Sequence, residues 1–229
     1  MKVVEIFGPT IQGEGPHAGR PTHFLRFGGC DYDCSWCDSP HAVKPELVRE
    51  APSLSDTEIL RELDALAPAP MVVISGGNPA LQKLDALMPA LRARYTVAVE
   101  TQGSVYRAWL ADADSLVVSP KPPSSGEATR RNWAAFVRFM DRAPWHDLTL
   151  KIVIFDAEDL AWARNVHETF PDVPLHLSVG TEPGTEDPLT DVAGRYRWLA
   201  EAVTAEPALH DTVVLPQLHV IAWGHAVGV

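Results

Sequence analysis

Cys30, Cys34 and Cys37 are the only cysteines in the 229-residue chain, and they crowd into eight positions as C-x3-C-x2-C. A secreted disulfide framework usually carries an even number of cysteines spread over long loops. Three thiols in one short loop point instead to shared metal ligation in a reducing compartment. Structural zinc closes its tetrahedron with four protein ligands, and a fully protein-held 4Fe-4S cluster takes four cysteines, so one ligand is missing here. The residues leave three readings open: zinc completed by His23 or His41, unligated buried thiols, or a four-iron cluster with one iron free for a non-protein ligand.

A loop that holds metal needs rigid elements around it. Apolar runs rich in β-branched residues recur at His23 to Phe27, Met71 to Ile74, Thr96 to Val99, Leu116 to Val118, Leu148 to Phe155, Leu175 to Val179 and Val213 to Leu215. Amphipathic segments lie between them. Ser55-Asp56-Thr57-Glu58 reads as a capping box that opens a helix with Ile59, Leu60, Leu63 and Leu66 on one face. Leu81, Leu84, Leu87, Met88 and Leu91 form a second stripe, and Leu160 to Phe170 a third. Strand and helix in alternation predict an α/β fold with a mainly parallel sheet. About six such strands are too few for a complete eightfold barrel but enough for an open, partial TIM-like one, with its chemistry at the carboxyl ends of the strands. The cysteine loop follows the first of these strands, on that face. Pro40 to Ser55 and Lys121 to Arg131 read as active-site or surface loops.

The length suits one domain, residues 1–229, able to bury roughly 70 to 75% of its extended surface without disulfides. Nineteen Lys plus Arg against thirty Asp plus Glu give a net charge of -11, the wrong sign for coating a phosphate backbone. No run approaches the roughly 18 apolar residues of a membrane span, and Glu5 interrupts the N-terminal run before a signal-peptide core can form. These features predict a cytoplasmic protein with no nucleic-acid or membrane partner.

With Trp36 just before its last cysteine, the motif resembles that of the radical S-adenosylmethionine (SAM) superfamily. The resemblance implies that Cys30, Cys34 and Cys37 hold a 4Fe-4S cluster whose fourth iron is chelated by SAM, from which a 5'-deoxyadenosyl radical is generated. Trp36 then offers a flat face to adenine, and Asp38 joins the SAM site. Within the superfamily the chain is similar to the 7-carboxy-7-deazaguanine synthase family from end to end. The likeness opens with Glu5-Ile6-Phe7, Thr10-Ile11-Gln12-Gly13-Glu14-Gly15 and Phe24-Leu25-Arg26-Phe27-Gly28-Gly29-Cys30.

This likeness assigns Ile11, Gln12, Gly13 and Glu14 to the pterin edge of the substrate, where a carboxylate can accept from adjacent N–H groups. It assigns Arg26 to the substrate carboxylate, Ser75 to substrate and Gly77 to the methionyl group of SAM. Asn78 departs from the family's Glu, and Glu100-Thr101-Gln102-Gly103-Ser104 resembles an E-T-N-G-S segment at the same mouth. Ser119 and Lys121 match a SAM-contacting S-P-K segment, and Ser178 and Thr181 a further SAM turn. Ser39 matches the family's Mg2+ hydroxyl, a position suited to an ion that prefers six oxygens including several waters. His219, in the Gln217-Leu218-His219 segment, and the α-carboxylate of Val229 complete the implied substrate site.

The implied activity is a carbon–nitrogen lyase that converts 6-carboxy-5,6,7,8-tetrahydropterin to 7-carboxy-7-deazaguanine with loss of ammonia, in 7-deazapurine (queuosine-type) biosynthesis. The resemblance also implies a flavodoxin or ferredoxin as electron donor and a homodimer. Another radical SAM enzyme or activase sharing only the cluster motif, and a zinc-stabilised non-enzymatic protein, are the rival readings.

Overall fold

The computed structural model of the chain describes residues 1–129, 132–141, 147–181, 184–226 and 228. Eight strands form one sheet in sequence order: β1 (Val3–Ile11), β2 (Pro21–Phe27), β3 (Met71–Gly76), β4 (Thr96–Thr101), β5 (Ser115–Val118), β6 (Leu148–Ile154), β7 (Leu175–Val179) and β8 (Val213–Leu215). β1 runs antiparallel to β2, and every later neighbour pair is parallel. The order never reverses, so there is no switch point of the doubly wound kind, and among the described residues no pairing joins β8 back to β1. The result is the open, partial barrel expected from the sequence, with eight strands where about six were predicted.

Alternation along the parallel strands separates two environments. One face presents Val72 and Ile74, Val97 and Val99, Leu116 and Val118, Leu150 and Ile152, and Leu175 and Leu177, all buried in the main core with residues of the surrounding helices. Burying each such side chain contributes about 1.5–3 kcal/mol. The inner face is smaller and more polar: Met71, Val73 and Ala98 pack with Phe24, and Ser75, Glu100 and Lys151 line the cavity.

The helices are α1 (Pro40–Val43), α2 (Pro45–Glu50), α3 (Asp56–Asp64), α4 (Leu87–Arg92), α5 (Asn132–Asp141), α6 (Ala157–Thr169), α7 (Pro188–Thr204) and α8 (Leu218–Trp223). α3 carries the expected capping box, with Ser55 and Glu58 bonded reciprocally. The second apolar stripe is not one helix: Leu81 closes a 3-10 turn, Pro79–Leu81, and only α4 is α-helical, because a helix running from Leu81 would bury Pro89 in its interior, where it removes a hydrogen bond and clashes with a carbonyl. Pro40 to Ser55, expected as a loop, contains two short helices, each opened by proline. Among its described residues the irregular stretch from Lys121 contains one 3-10 turn, Pro123–Ser125, while Arg130 and Arg131 lie outside them.

β1 is the strand not anticipated. Gly8-Pro9 interrupts its pattern, and the register with β2 shifts between Phe7 and Thr10, an irregularity that an edge strand tolerates. After β1 the chain turns inward, and the 3-10 turn Gly15–His17 packs against β6 and β7, filling the barrel beneath the site.

Candidate active site

At the carboxyl ends of the parallel strands lies a cavity of about 330 Å3. The loop after β2 supplies one wall with Cys30, Cys34 and Cys37, all half-buried and free of disulfides. Burial pushes all three thiols up, Cys34 to about 11, despite the opposing charge of Lys121. Thiolates here need a compensating cation, which a bound metal provides. The loop is held at its base by backbone bonds from Asn78 to Gly29 (2.7 Å), Gly77 to Phe27 (3.1 Å) and Gly29 to Ala42 (2.8 Å). Gly77 is a steric requirement, since a Cβ there would lie 2.3 Å from the Gly29 oxygen.

Beside the cysteines, the Trp36 ring packs on Phe155 with centroids 5.0 Å apart, and its Nε1 donates to Ser124 Oγ at 2.9 Å. Lys121 Nζ lies 5.8 Å from the Trp36 centroid and donates to Ser119 Oγ. Thr181 and Gly180 reach the same cavity from the end of β7.

Arg26, on β2, sits between carboxylate and hydroxyl: its Nε is 2.7 Å from Glu5 Oε2, and its Nη1 donates to Ser39 Oγ. Ser39 in turn donates to Asp38 Oδ1 at 2.9 Å, and His41 Nε2 lies 3.2 Å from Glu5. Deeper in the barrel Lys151 Nζ bridges Glu14 (2.7 Å) and Glu100 (2.5 Å), with its side chain only 5% exposed. Gln217 Nε2 also donates to Glu14. Burial alone would raise the Glu14 carboxyl, but the charges of Lys151 and His219 and the two hydrogen bonds outweigh it and bring the group down to about 2. The same two carboxylates overcome the burial of Lys151 and hold its ammonium well above the usual lysine range.

The cavity therefore brings together Ile11, Gln12, Gly13, Glu14, Arg26, Cys30, Cys34, Trp36, Cys37, Asp38, Ser39, Ser75, Gly77, Ser119, Lys121, Thr181 and His219. Ser178 is the exception among the described candidates. It is fully buried in β7 with no partner for its hydroxyl and does not line the cavity, because the chain reaches the mouth only at Gly180 and Thr181. Val229 lies outside the described residues, although Gly228 lines the cavity.

Asn78, at the family's Glu position, does not reach the cavity. It is fully buried and bonded to Asp31, Ser104, Thr101 and Ala80. Lys151 and Glu5 were not anticipated as site residues. A lone lysine inside the apolar run Leu148 to Phe155 was the available signal, since a charge on a buried parallel strand requires partners. His23, offered as a zinc ligand, is buried edge-on to Tyr95 away from the cavity, and His41 is engaged by Glu5. Among the described residues no three His, Cys, Asp or Glu side chains gather closely enough to hold one ion.

Comparison with known proteins agrees with this geometry. Residues 25–119 match the model of the radical SAM superfamily. The 7-carboxy-7-deazaguanine synthase of Bacillus subtilis (strain 168) is 40% identical, covering 100% of this chain and 98% of that protein. The chain belongs to the 7-carboxy-7-deazaguanine synthase family. The Bacillus cereus member is 38% identical, covering 100% of this chain and 99% of that protein. Among solved structures, QueE from Escherichia coli superposes with a TM-score of 0.65 at 18% identity, covering 94% of this chain and 93% of that one. Streptococcus suis SuiB bound to S-adenosylmethionine gives 0.56 at 13% identity, covering 86% and 50%. At these identities the two structures speak for the fold alone. Membership makes the chain a radical SAM enzyme, a superfamily whose chemistry runs on a 4Fe-4S cluster and SAM. No helix among the described residues is long and apolar enough to cross a membrane.

Proposed function

We propose that this one cavity binds a 4Fe-4S cluster, SAM and 6-carboxy-5,6,7,8-tetrahydropterin together, for conversion of the pterin to 7-carboxy-7-deazaguanine with loss of ammonia. The observation that carries the reading is the sharing of a single cavity by three cysteines on one wall and the Arg26 and Glu14 groups on others. The cysteine wall suits a cluster, since three thiols line one common space. When bound, the cluster and SAM supply one-electron hydrogen-abstraction chemistry.

The protein's own residues position the reactants. Glu14, kept ionised by Lys151, accepts hydrogen bonds from the amino-pyrimidinone edge, with Gln12, the Gly13 backbone and His219 around it. The Arg26 guanidinium, turned into the cavity by Glu5, takes the substrate carboxylate through its planar fork. Ser75 Oγ, buried without a partner, is available to the substrate. Trp36, Lys121, Ser119 and Thr181 surround the SAM end, and the α-carboxylate of Val229 is kept as a substrate ligand on the family resemblance. Ser39 and Asp38 offer oxygens that would hold Mg2+ beside the substrate carboxylate, next to the Arg26 contact with the Ser39 hydroxyl. A flavodoxin or ferredoxin supplies the electron, and the homodimer rests on the family resemblance.

The test is turnover by anaerobically reconstituted protein with SAM, reductant and the carboxytetrahydropterin. Product and ammonia should form in equal amounts. Iron-loaded protein that cleaves SAM yet forms no 7-carboxy-7-deazaguanine from the pterin would reject the substrate assignment.

A further inference from the structure

Behind the cysteine wall lies a chain of buried amides and one carboxylate that the proposed chemistry does not use. Gln102, at the end of β4 and 4% exposed, points its Nε2 at Cys30 Sγ (3.4 Å) and at Asp31 Oδ1 (2.8 Å). Asp31 Oδ1 also accepts from Asn78 Nδ2 at 2.8 Å. Asn78 is itself fixed, because it donates to Ser104 Oγ and its own oxygen accepts from Thr101 Oγ1 and the Ala80 backbone. This arrangement decides which way the Gln102 amide faces. Turning it over would set its carbonyl oxygen against the Asp31 carboxylate, so the NH2 group is held toward both Asp31 and the cysteine sulfur. The Tyr32 backbone N–H points at the same sulfur from 3.4 Å.

We propose that Gln102, oriented by Asp31 and Asn78, is a positioning residue that sets the reduction potential of the cluster by donating an N–H to the sulfur of Cys30. The inference rests on the assignment of the three cysteines to a 4Fe-4S cluster. Hydrogen bonds to ligand sulfur stabilise the reduced cluster, which carries the greater negative charge, and so raise its potential. The donor is built into the wall on the side of Cys30. A glutamate at position 78 would set a second carboxylate against Asp31, whereas asparagine donates to it and keeps the chain of bonds satisfied.

The test is an EPR-monitored redox titration of anaerobically reconstituted full-length wild-type protein, Gln102→Met and Gln102→Glu, with iron content measured on each. Methionine keeps the length of the side chain and removes the donor. Both loaded variants should titrate at a midpoint more negative than wild type. Loaded Gln102 variants with the wild-type midpoint would overturn the proposal. So would failure of both to take up iron, since Gln102 would then serve assembly instead. Wild-type protein that takes up no iron would reject the cluster assignment itself, a result separate from either.

Discussion

Arg26 and Lys151 are the two cations on which the substrate side of the cavity depends, and they were unequally visible in the sequence. Arg26 stands four positions before Cys30 at the catalytic end of a strand, so its direction could be read from strand periodicity. Lys151 lies 137 residues from Glu14, and only the folded barrel brings its Nζ to that carboxylate. Arg26→Ala should weaken substrate binding by about 2 to 5 kcal/mol, the usual cost of truncating one partner of a buried charge pair. Steady-state kinetics should show a raised KM for the pterin, with pterin-independent SAM cleavage retained. Lys151→Met should cost about 3–5 kcal/mol in chemical denaturation, because it leaves carboxylates buried without their partner. It should also change pH dependence. In the wild type the depressed Glu14 group contributes stability that is fully present above the unfolded carboxyl pKa and is lost progressively as pH falls from there through about 2. Without Lys151, burial is opposed only by His219 and the Gln217 hydrogen bond, so that group moves up. The acid limb of kcat/KM should therefore move to higher pH, and an unchanged limb would remove Lys151 from this role.

At the scale of elements, what positions the site is a set of strand ends brought together by close backbone contact. The β2 and β3 ends meet at Gly77, where a Cβ would lie 2.3 Å from the Gly29 oxygen and 2.8 Å from the Ala42 oxygen. Backbone atoms cannot swing aside as a side chain can. Gly77→Ala should therefore cost about 1–3 kcal/mol of stability, read as a lowered Tm, and reduce SAM affinity measured by equilibrium dialysis. Wild-type values for both would mean that the loop base adjusts freely. The parallel strands were legible because each is a short, nearly continuous apolar run, the pattern of a sheet covered by helices. β1 was not, since Gly8 and Pro9 break its run and it is the antiparallel edge. α7 was missed because its apolar residues are diluted by charged ones, although Asp187 followed by Pro188 carries an N-terminal signal, with the Asp187 side chain accepting from the Thr190 N–H. The helix containing Leu87 is shorter than the leucine stripe because Pro89 stands within that stripe.

For the whole molecule, the two ends of the chain meet at the site. Glu5, Phe7 and Ile11 to Glu14 supply one part of the wall, and Gln217, His219, Gly224, His225, Ala226 and Gly228 another. The sequence signalled both ends only through motifs, because contacts spanning more than two hundred residues leave no periodicity to read. A tag appended after Val229 should crowd the cavity and raise the KM for the pterin, while iron content stays normal and the same tag on Met1 has little effect. Equal KM values for the two tagged proteins would place the tail outside the site. The central claim, that one cavity carries a cluster with an iron open to SAM, is tested most directly by iron analysis with EPR of the reduced, anaerobically reconstituted protein, before and after SAM is added. About four irons per chain are expected, with a reduced-cluster signal that SAM perturbs. Stoichiometric zinc without iron uptake, or a cluster signal indifferent to SAM, would contradict it.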